Sequence, residues 1–147
     1  MPILAGQIIT AGQLNRLQPV PYEVTGISNL NPVPVAEADV PGALLSITTL
    51  AANAFFTATG TFSFDTISAT STFAEGRLRV DGANASGAAR WSGPAATDFG
   101  PAAQQWSGTL AAAGIHTFQL RAAANSGADI QLLGAYTKLQ VVIYEVP

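Results

Sequence analysis

Cysteine is absent from this chain. Neither a disulfide nor a thiolate metal site can form, so packing and hydrogen bonds alone must hold the fold. Charge is scarce as well: six Lys and Arg against nine Asp and Glu make 10% of the residues and a net charge of −3. So few cations cannot grip a phosphate backbone through counterion release, and nucleic acid is not an expected partner. No run of about 18 apolar residues is available to cross a bilayer, so no membrane partner is expected either. The opening Met1-Pro-Ile-Leu-Ala-Gly6 lacks the basic n-region of a signal peptide and runs at once into polar Gln7 and Thr10, which predicts synthesis and release in the cytoplasm. One histidine and no cysteine leave little with which to build a metal centre or an activated nucleophile. The chain is not expected to be an enzyme or to carry a cofactor.

What is abundant is small. Apolar types make up 48% of the 147 residues, but much of that share is alanine, in runs such as Ala111–Ala113 and Ala122–Ala124. Large side chains are sparse, and the surface must be covered by Thr, Ser, Gln, Ala and Gly. A surface this poor in charge predicts burial of part of it against sister subunits, because the centres of protein interfaces are depleted in charge.

The first 43 residues differ from the rest and are read as an N-terminal attachment arm and Pro-rich linker. Thr10 is placed to N-cap a short helix, Gln13 is its capping-box partner, Leu14 and Leu17 share a face, and Pro19 stops it. Two turns are not stable alone, so this helix must dock on something. Tyr22–Thr25 is a short candidate strand and Asn29–Pro34 an extended linker. Residues 44–147 form the second unit, and their pattern is β. Leu44–Leu50, Ala54–Thr66, Thr72–Asp81, Gln104–Leu110, His116–Ala122, Asp129–Leu133 and a closing strand from Tyr136 to Val146 alternate apolar and polar residues between turn signals. Gly60 is read as a bulge or bend, Asp81-Gly82 as a tight turn, residues 82–101 as loop, and Ala111–Gly114 as a hairpin. In the closing strand Leu139, Val141 and Ile143 share the buried face, which places it near the middle of a sheet. The predicted fold is an all-β antiparallel β-sandwich with a short N-terminal helical arm.

Candidate chemistry is thin. His116 shares a face with Phe118 and Leu120 and is read as structural. Glu37 and Asp39 are read as a solvated loop pair. Arg77 and Arg79 share a strand face with Glu75 and Asp81, which suits a cross-strand ion-pair ladder, a subunit contact or a site for an anionic ligand. Trp106 belongs in the core, whereas Trp91, among Arg90, Ser92 and Gly93, is the candidate for an exposed stacking surface. The sequon at Asn84-Ala-Ser86 is read as accidental.

Two segments carry a family resemblance. Ala5-Gly-Gln-Ile-Ile-Thr-Ala-Gly-Gln-Leu-Asn-Arg-Leu-Gln-Pro19 resembles the opening of many small virion proteins of tailed phages, notably of actinobacterial hosts. Thr137-Lys-Leu-Gln-Val-Val-Ile-Tyr144 resembles the last strand of their C-terminal jelly rolls, which are similar to the C1q and tumour-necrosis-factor fold. The resemblance implies a homotrimer at the virion surface, with phage capsid or tail proteins as partners. Its docking residues would be Ile8, Ile9, Leu14, Leu17 and Pro19. Capsid decoration is preferred, since 147 residues leave little room for the stalk of a tail fibre. A tail fibre or receptor-binding tip is the alternative. A carbohydrate-binding module centred on Trp91, Arg90 and Asp98, with a host surface glycan as partner, is a further one.

Overall fold

The computed structural model describes Ala11 and residues 18–68, 72–93, 95–125 and 129–145. The expected capped helix, with Ile8, Ile9, Leu14 and Leu17, lies outside the described residues. Ten strands follow: β1 (Val20–Thr25), β2 (Ala38–Thr49), β3 (Ala54–Thr66), β4 (Thr72–Val80), β5 (Ala83–Asn84), β6 (Ala89–Gly93), β7 (Phe99–Leu110), β8 (Gly114–Ala124), β9 (Ile130–Leu132) and β10 (Lys138–Tyr144). They form two five-stranded sheets, the first ordered β1-β10-β3-β7 with β9 also on β3, the second ordered β2-β8-β4-β5 with β6 also on β4. Every pairing among the described strands is antiparallel. This is the expected sandwich.

The closing strand is interior, as its alternation predicts. β10 is flanked by β1 and β3, and Leu139, Val141 and Ile143 point into the core. Thr61 to Phe55 of β3 pair with β10, and Thr66 to Phe64 pair with β9 on the same flank, because β7 takes the other. β9 and β10 are thus one line of chain interrupted by a 3-10 turn at Gly134–Tyr136. The interruption strands backbone groups that Thr137 recovers. Its fully buried hydroxyl accepts from the Ser63 N–H at 3.2 Å and donates to the Leu133 carbonyl at 3.0 Å.

The core is large against small. Over one half, the second sheet presents a floor of Ala74, Gly76, Ala89, Gly93, Ala122 and Ala124, all buried. Onto it β3 lowers Phe62 and Phe64, stacked at 6.0 Å, and Trp91 continues the stack 6.0 Å from Phe64. Over the other half both sheets contribute large side chains. Leu120 of the second sheet lies over Gly60 of the first, and Phe118 meets Phe56 edge-on at 5.1 Å. Interdigitation of this kind fills the space between sheets without voids, and it explains why so few large side chains suffice.

Several expectations need correction. The sheets begin at Val20 rather than at residue 44: β1 pairs with β10, and β2 starts at Ala38. Pro41 and Gly42 are tolerated in β2 because the ladder is interrupted there by a bulge between Asp39 and Leu44, where Gly42 has φ +78°. The extended linker is not a spacer. Val33 is fully buried, its N–H donates to the Ile130 carbonyl at 2.8 Å, and Leu30 bridges Leu132. The expected loop at 82–101 contains β5, β6 and the start of β7, whose small residues are floor tiles rather than loop formers. Ala111–Gly114 is no hairpin, since β7 and β8 lie in different sheets. It is a crossover, and it lets Leu110 and His116 both face inward. Gly60 makes no bulge, because β3 keeps its register through it. An added Cβ there would lie 2.9 Å from Trp106, so the residue is small to seat that ring. The Asp81-Gly82 turn is as expected, with φ of +48° and +85° joining Val80 to Ala83.

Candidate functional site

Four of the six Lys and Arg residues, namely Arg77, Arg79, Arg90 and Arg121, lie on the outer face of the second sheet. Alternation puts them there, one residue out of step with the buried Leu78, Ala89, Leu120 and Ala122. Glu37 is the hub. Its carboxylate accepts from Arg77 Nε at 3.2 Å, Arg121 Nη1 at 2.8 Å and Asn84 Nδ2 at 2.9 Å, and its carbonyl from Arg121 Nη2 at 2.8 Å. Arg121 also reaches Asp39 at 2.9 Å, and Arg77 reaches Glu75 at 2.9 Å. The solvated-loop reading of Glu37 and Asp39 is therefore corrected: Glu37 ties β4, β5 and β8 together. The ladder reading of Arg77 is corrected as well: the residue directly across the strand pair is Arg121, and its ion partners are Glu75 in its own strand and Glu37 ahead of β2. Arg121 was not singled out from the sequence. Its acidic partner lies 84 residues away, and no local pattern signals it.

Replacing Glu37 with glutamine is expected to cost about 1 kcal/mol, the upper end for a partly exposed network. Urea denaturation at low and high salt checks it. The difference between the two proteins should shrink as salt screens the arginines, and an unchanged difference would show that the hub acts through packing instead.

The remaining candidates scatter. Arg79 makes no ion pair among the described residues, and the Arg90 guanidinium sits 3.8 Å above the Phe73 ring. Trp91 is no free platform: it is half-buried, with its ring on Phe64 and its edge against Gly93 and Gly100. Asp98 accepts from the Ala95 N–H at 2.8 Å and shapes its own turn. Arg90 and Trp91 therefore lie on opposite faces of β6 and Asp98 is engaged in its own turn, so the three are not gathered into the stacking surface that the glycan reading expects. Trp106 is in the core as expected, its indole N–H donating to the Gly87 carbonyl at 3.2 Å. Pro19 is exposed where the chain enters β1.

The outer face of the first sheet is different in kind. Across it run Gln140 and Val142 of β10, Thr57, Thr59 and Thr61 of β3, and Gln105, Ser107 and Thr109 of the border strand β7. Phe55 and Tyr144, partly exposed, pair at 5.9 Å at one end. Charge is confined to the margins. Glu23 pairs with Lys138 at 2.9 Å, and Asp65 accepts from Gln131 at 2.7 Å. The bonds from Gln140 and then Lys138 hold the Glu23 carboxyl below the usual range. Among the described residues no cluster of His, Asp and Glu is placed to hold a metal ion, and no helix is long and apolar enough to cross a membrane.

No family model matches this chain, and no curated protein does. Solved structures do. A chain in the structure of infectious bursal disease virus, Gt strain, is similar with a TM-score of 0.58 and 15% identity over 86% of this chain. The match spans only 33% of that viral chain. Eiger TNF from S. frugiperda is similar with a TM-score of 0.51 and 11% identity, covering 87% of this chain and 93% of its own. Murine APRIL gives 0.51 and 11%, covering 85% and 98%. The fold is a jelly roll of the viral and TNF-like kind. At such identities the likeness concerns fold alone.

Proposed function

We propose that this chain is a non-enzymatic structural protein of a tailed-phage particle, a homotrimer that decorates the capsid and is fastened through residues 1–19. The observation that carries the reading is the outer face of the first sheet. It is a broad β surface whose middle holds only hydroxyl, amide and apolar side chains, with one ion pair and one aromatic pair at its rim. A charge-free centre with a polar margin is the composition of a subunit interface, and closed rotational symmetry is the usual way for identical faces to be covered. The virion setting is supported by the resemblance of Ala5–Pro19 to phage openings and, at the level of analogy, by the viral jelly roll.

Sedimentation equilibrium of the full chain should give three times the 15.1 kDa protomer mass. Thr59→Arg, which places a cation in the middle of the face, should yield monomers with the thermal midpoint little changed. Removing residues 1–19 should leave the trimer intact and abolish incorporation into particles. A monomeric wild type would overturn the trimer, and full incorporation without the segment would overturn the attachment. Recovery of the protein on tails instead of heads would favour the fibre or receptor-binding reading.

A further inference from the structure

His116 is the one histidine of the chain and is buried, 6% exposed, at the start of β8. Both of its ring nitrogens are engaged. Nδ1 lies 2.6 Å from Asp81 Oδ2, and Nε2 lies 3.0 Å from the Ala112 carbonyl oxygen. Neither an ionised carboxylate nor a carbonyl can donate a hydrogen bond, so both contacts are satisfied together only when each ring nitrogen carries a proton. A neutral ring would aim a lone pair at one of the two oxygens.

The two acceptors belong to separate pieces of the fold. Asp81 sits in the β4–β5 turn and is fixed there by further bonds. Its Oδ1 accepts from the Thr117 N–H at 2.8 Å, and its own N–H donates to the Thr117 carbonyl at 3.0 Å. Ala112 sits in the crossover that carries the chain from the first sheet to the second. Among the described residues its carbonyl accepts, beyond the His116 contact, a bond from the Thr49 hydroxyl at a long 3.5 Å. The turn also forms one wall of a cleft of about 330 Å3, whose other wall is the end of β7 from Ser107 to Leu110, with Ala111 at the start of the crossover on its rim.

We propose that the His116 imidazolium is a pH-sensitive clasp that holds the Ala111–Gly114 crossover against the β4–β5 turn, and that its deprotonation frees the crossover at the rim of this cleft. The ring keeps its Nδ1–H for the carboxylate, the stronger acceptor, and Nε2 loses the proton that bound Ala112. The crossover is therefore the part released. Among the described residues no second ionisable group bonds to the ring. Asp81 is the ionisable group bonded to it, β2 offers Ile47 and Thr49, and β8 offers Phe118 on the same face. The inward positions of β3, β7 and β10 opposite carry no carboxylate, amine or guanidinium.

The direction of the titration agrees. The Asp81 bond raises the imidazole above 6.5 against the effect of burial, and the Ala112 carbonyl adds to the rise. A raised folded-state value contributes stability that is complete below about 6.5 and is lost as pH climbs through the folded value. For Asp81 burial opposes ionisation, but the bonds to His116 and Thr117 outweigh it and leave the carboxyl below its usual range. Its contribution is present above the unfolded value and fails as pH falls through the folded one. The clasp is thus strongest in mildly acidic solution.

The test is an NMR titration of the intact protein, in which the ring signals need no assignment because there is a single histidine. The ring is expected to titrate above 6.5, and the amides of Ala112, Ala113 and Gly114 should shift with the same midpoint. Opening of the crossover, read by amide exchange, should become more favourable on the alkaline side, by at most about tenfold for each pH unit by which that midpoint is raised. His116→Gln should remove the pH dependence, while Asp81→Asn should lower the midpoint but leave the crossover amides coupled to it. A midpoint at or below 6.5, or crossover amides that ignore it, would overturn the proposal whether or not either variant folds.

Discussion

Gly76→Val is expected to destabilise the protein by about 3 kcal/mol or more, at the upper end of overpacking effects. Gly76 lies on the inner face of β4, opposite Ala89 of β6 and Ala122 of β8. An added Cβ would fall 2.4 Å from two carbons of the Phe62 ring and 2.5 Å from a third. Phe62 has nowhere to go, being fully buried and stacked at 5° on Phe64, which in turn faces Trp91. For a chain of this size such a loss lowers the thermal midpoint by roughly 6–12 °C. The obstruction is a side chain, so it can be removed: Phe62→Leu in the same protein should recover more than about 1 kcal/mol relative to additivity. Urea midpoints of the two single variants and the double variant decide it. A loss below about 1 kcal/mol for the valine variant would mean that the floor of the second sheet yields easily.

Gly134→Ala is expected to do comparable damage by a different route. Its Cβ would lie 2.2 Å from the Ser28 carbonyl oxygen and 2.6 Å from the Ser28 carbonyl carbon, both main-chain atoms. Gly26 approaches from the same stretch, with its own absent Cβ only 2.8 Å from the Gly134 oxygen. Two segments of backbone cross here at the interruption between β9 and β10, and both are bonded. The Gly134 N–H donates to Asn29 Oδ1 at 3.0 Å, and the Gly26 N–H donates to the Thr137 carbonyl at 2.9 Å. Relief requires breaking one of these, so the cost is again about 3 kcal/mol. No truncation at Ser28 can rescue it. A double variant with Ser28→Gly should be as unstable as Gly134→Ala alone, and recovery there would sink this account.

What could be read beforehand follows from the range over which each signal acts. β3 and β10 announce themselves because large and polar side chains alternate within one segment. β6 does not, because Ala89 and Gly93 are small in order to fit under aromatic rings that arrive from β3 and β6 itself. In composition alone they look like loop. Trp91 looked exposed for the same reason: its neighbours are polar or tiny, and the Phe64 that covers it lies 27 residues earlier. The charged face was half legible. Glu75 and Arg77 are local, but Glu37 reaches its arginines only after the chain has folded. His116 reads as structural from its apolar companions, and it is buried with both ring nitrogens engaged. Its bond to Asp81, 35 residues away, depends on the pairing of β4 with β8, which no local pattern announces.

The placement of the prolines limits how this protein can associate. β1, β2 and β7 each border a sheet, and each contains one: Pro21, Pro41 and Pro101. The fourth border is broken into the short pieces β5 and β6. A proline presents no N–H to an arriving strand, and a broken border offers no long template. Each border thus offers an arriving strand an interrupted template, which disfavours strand-by-strand growth into an endless ribbon and favours contact between copies through the flat sides of the sandwich.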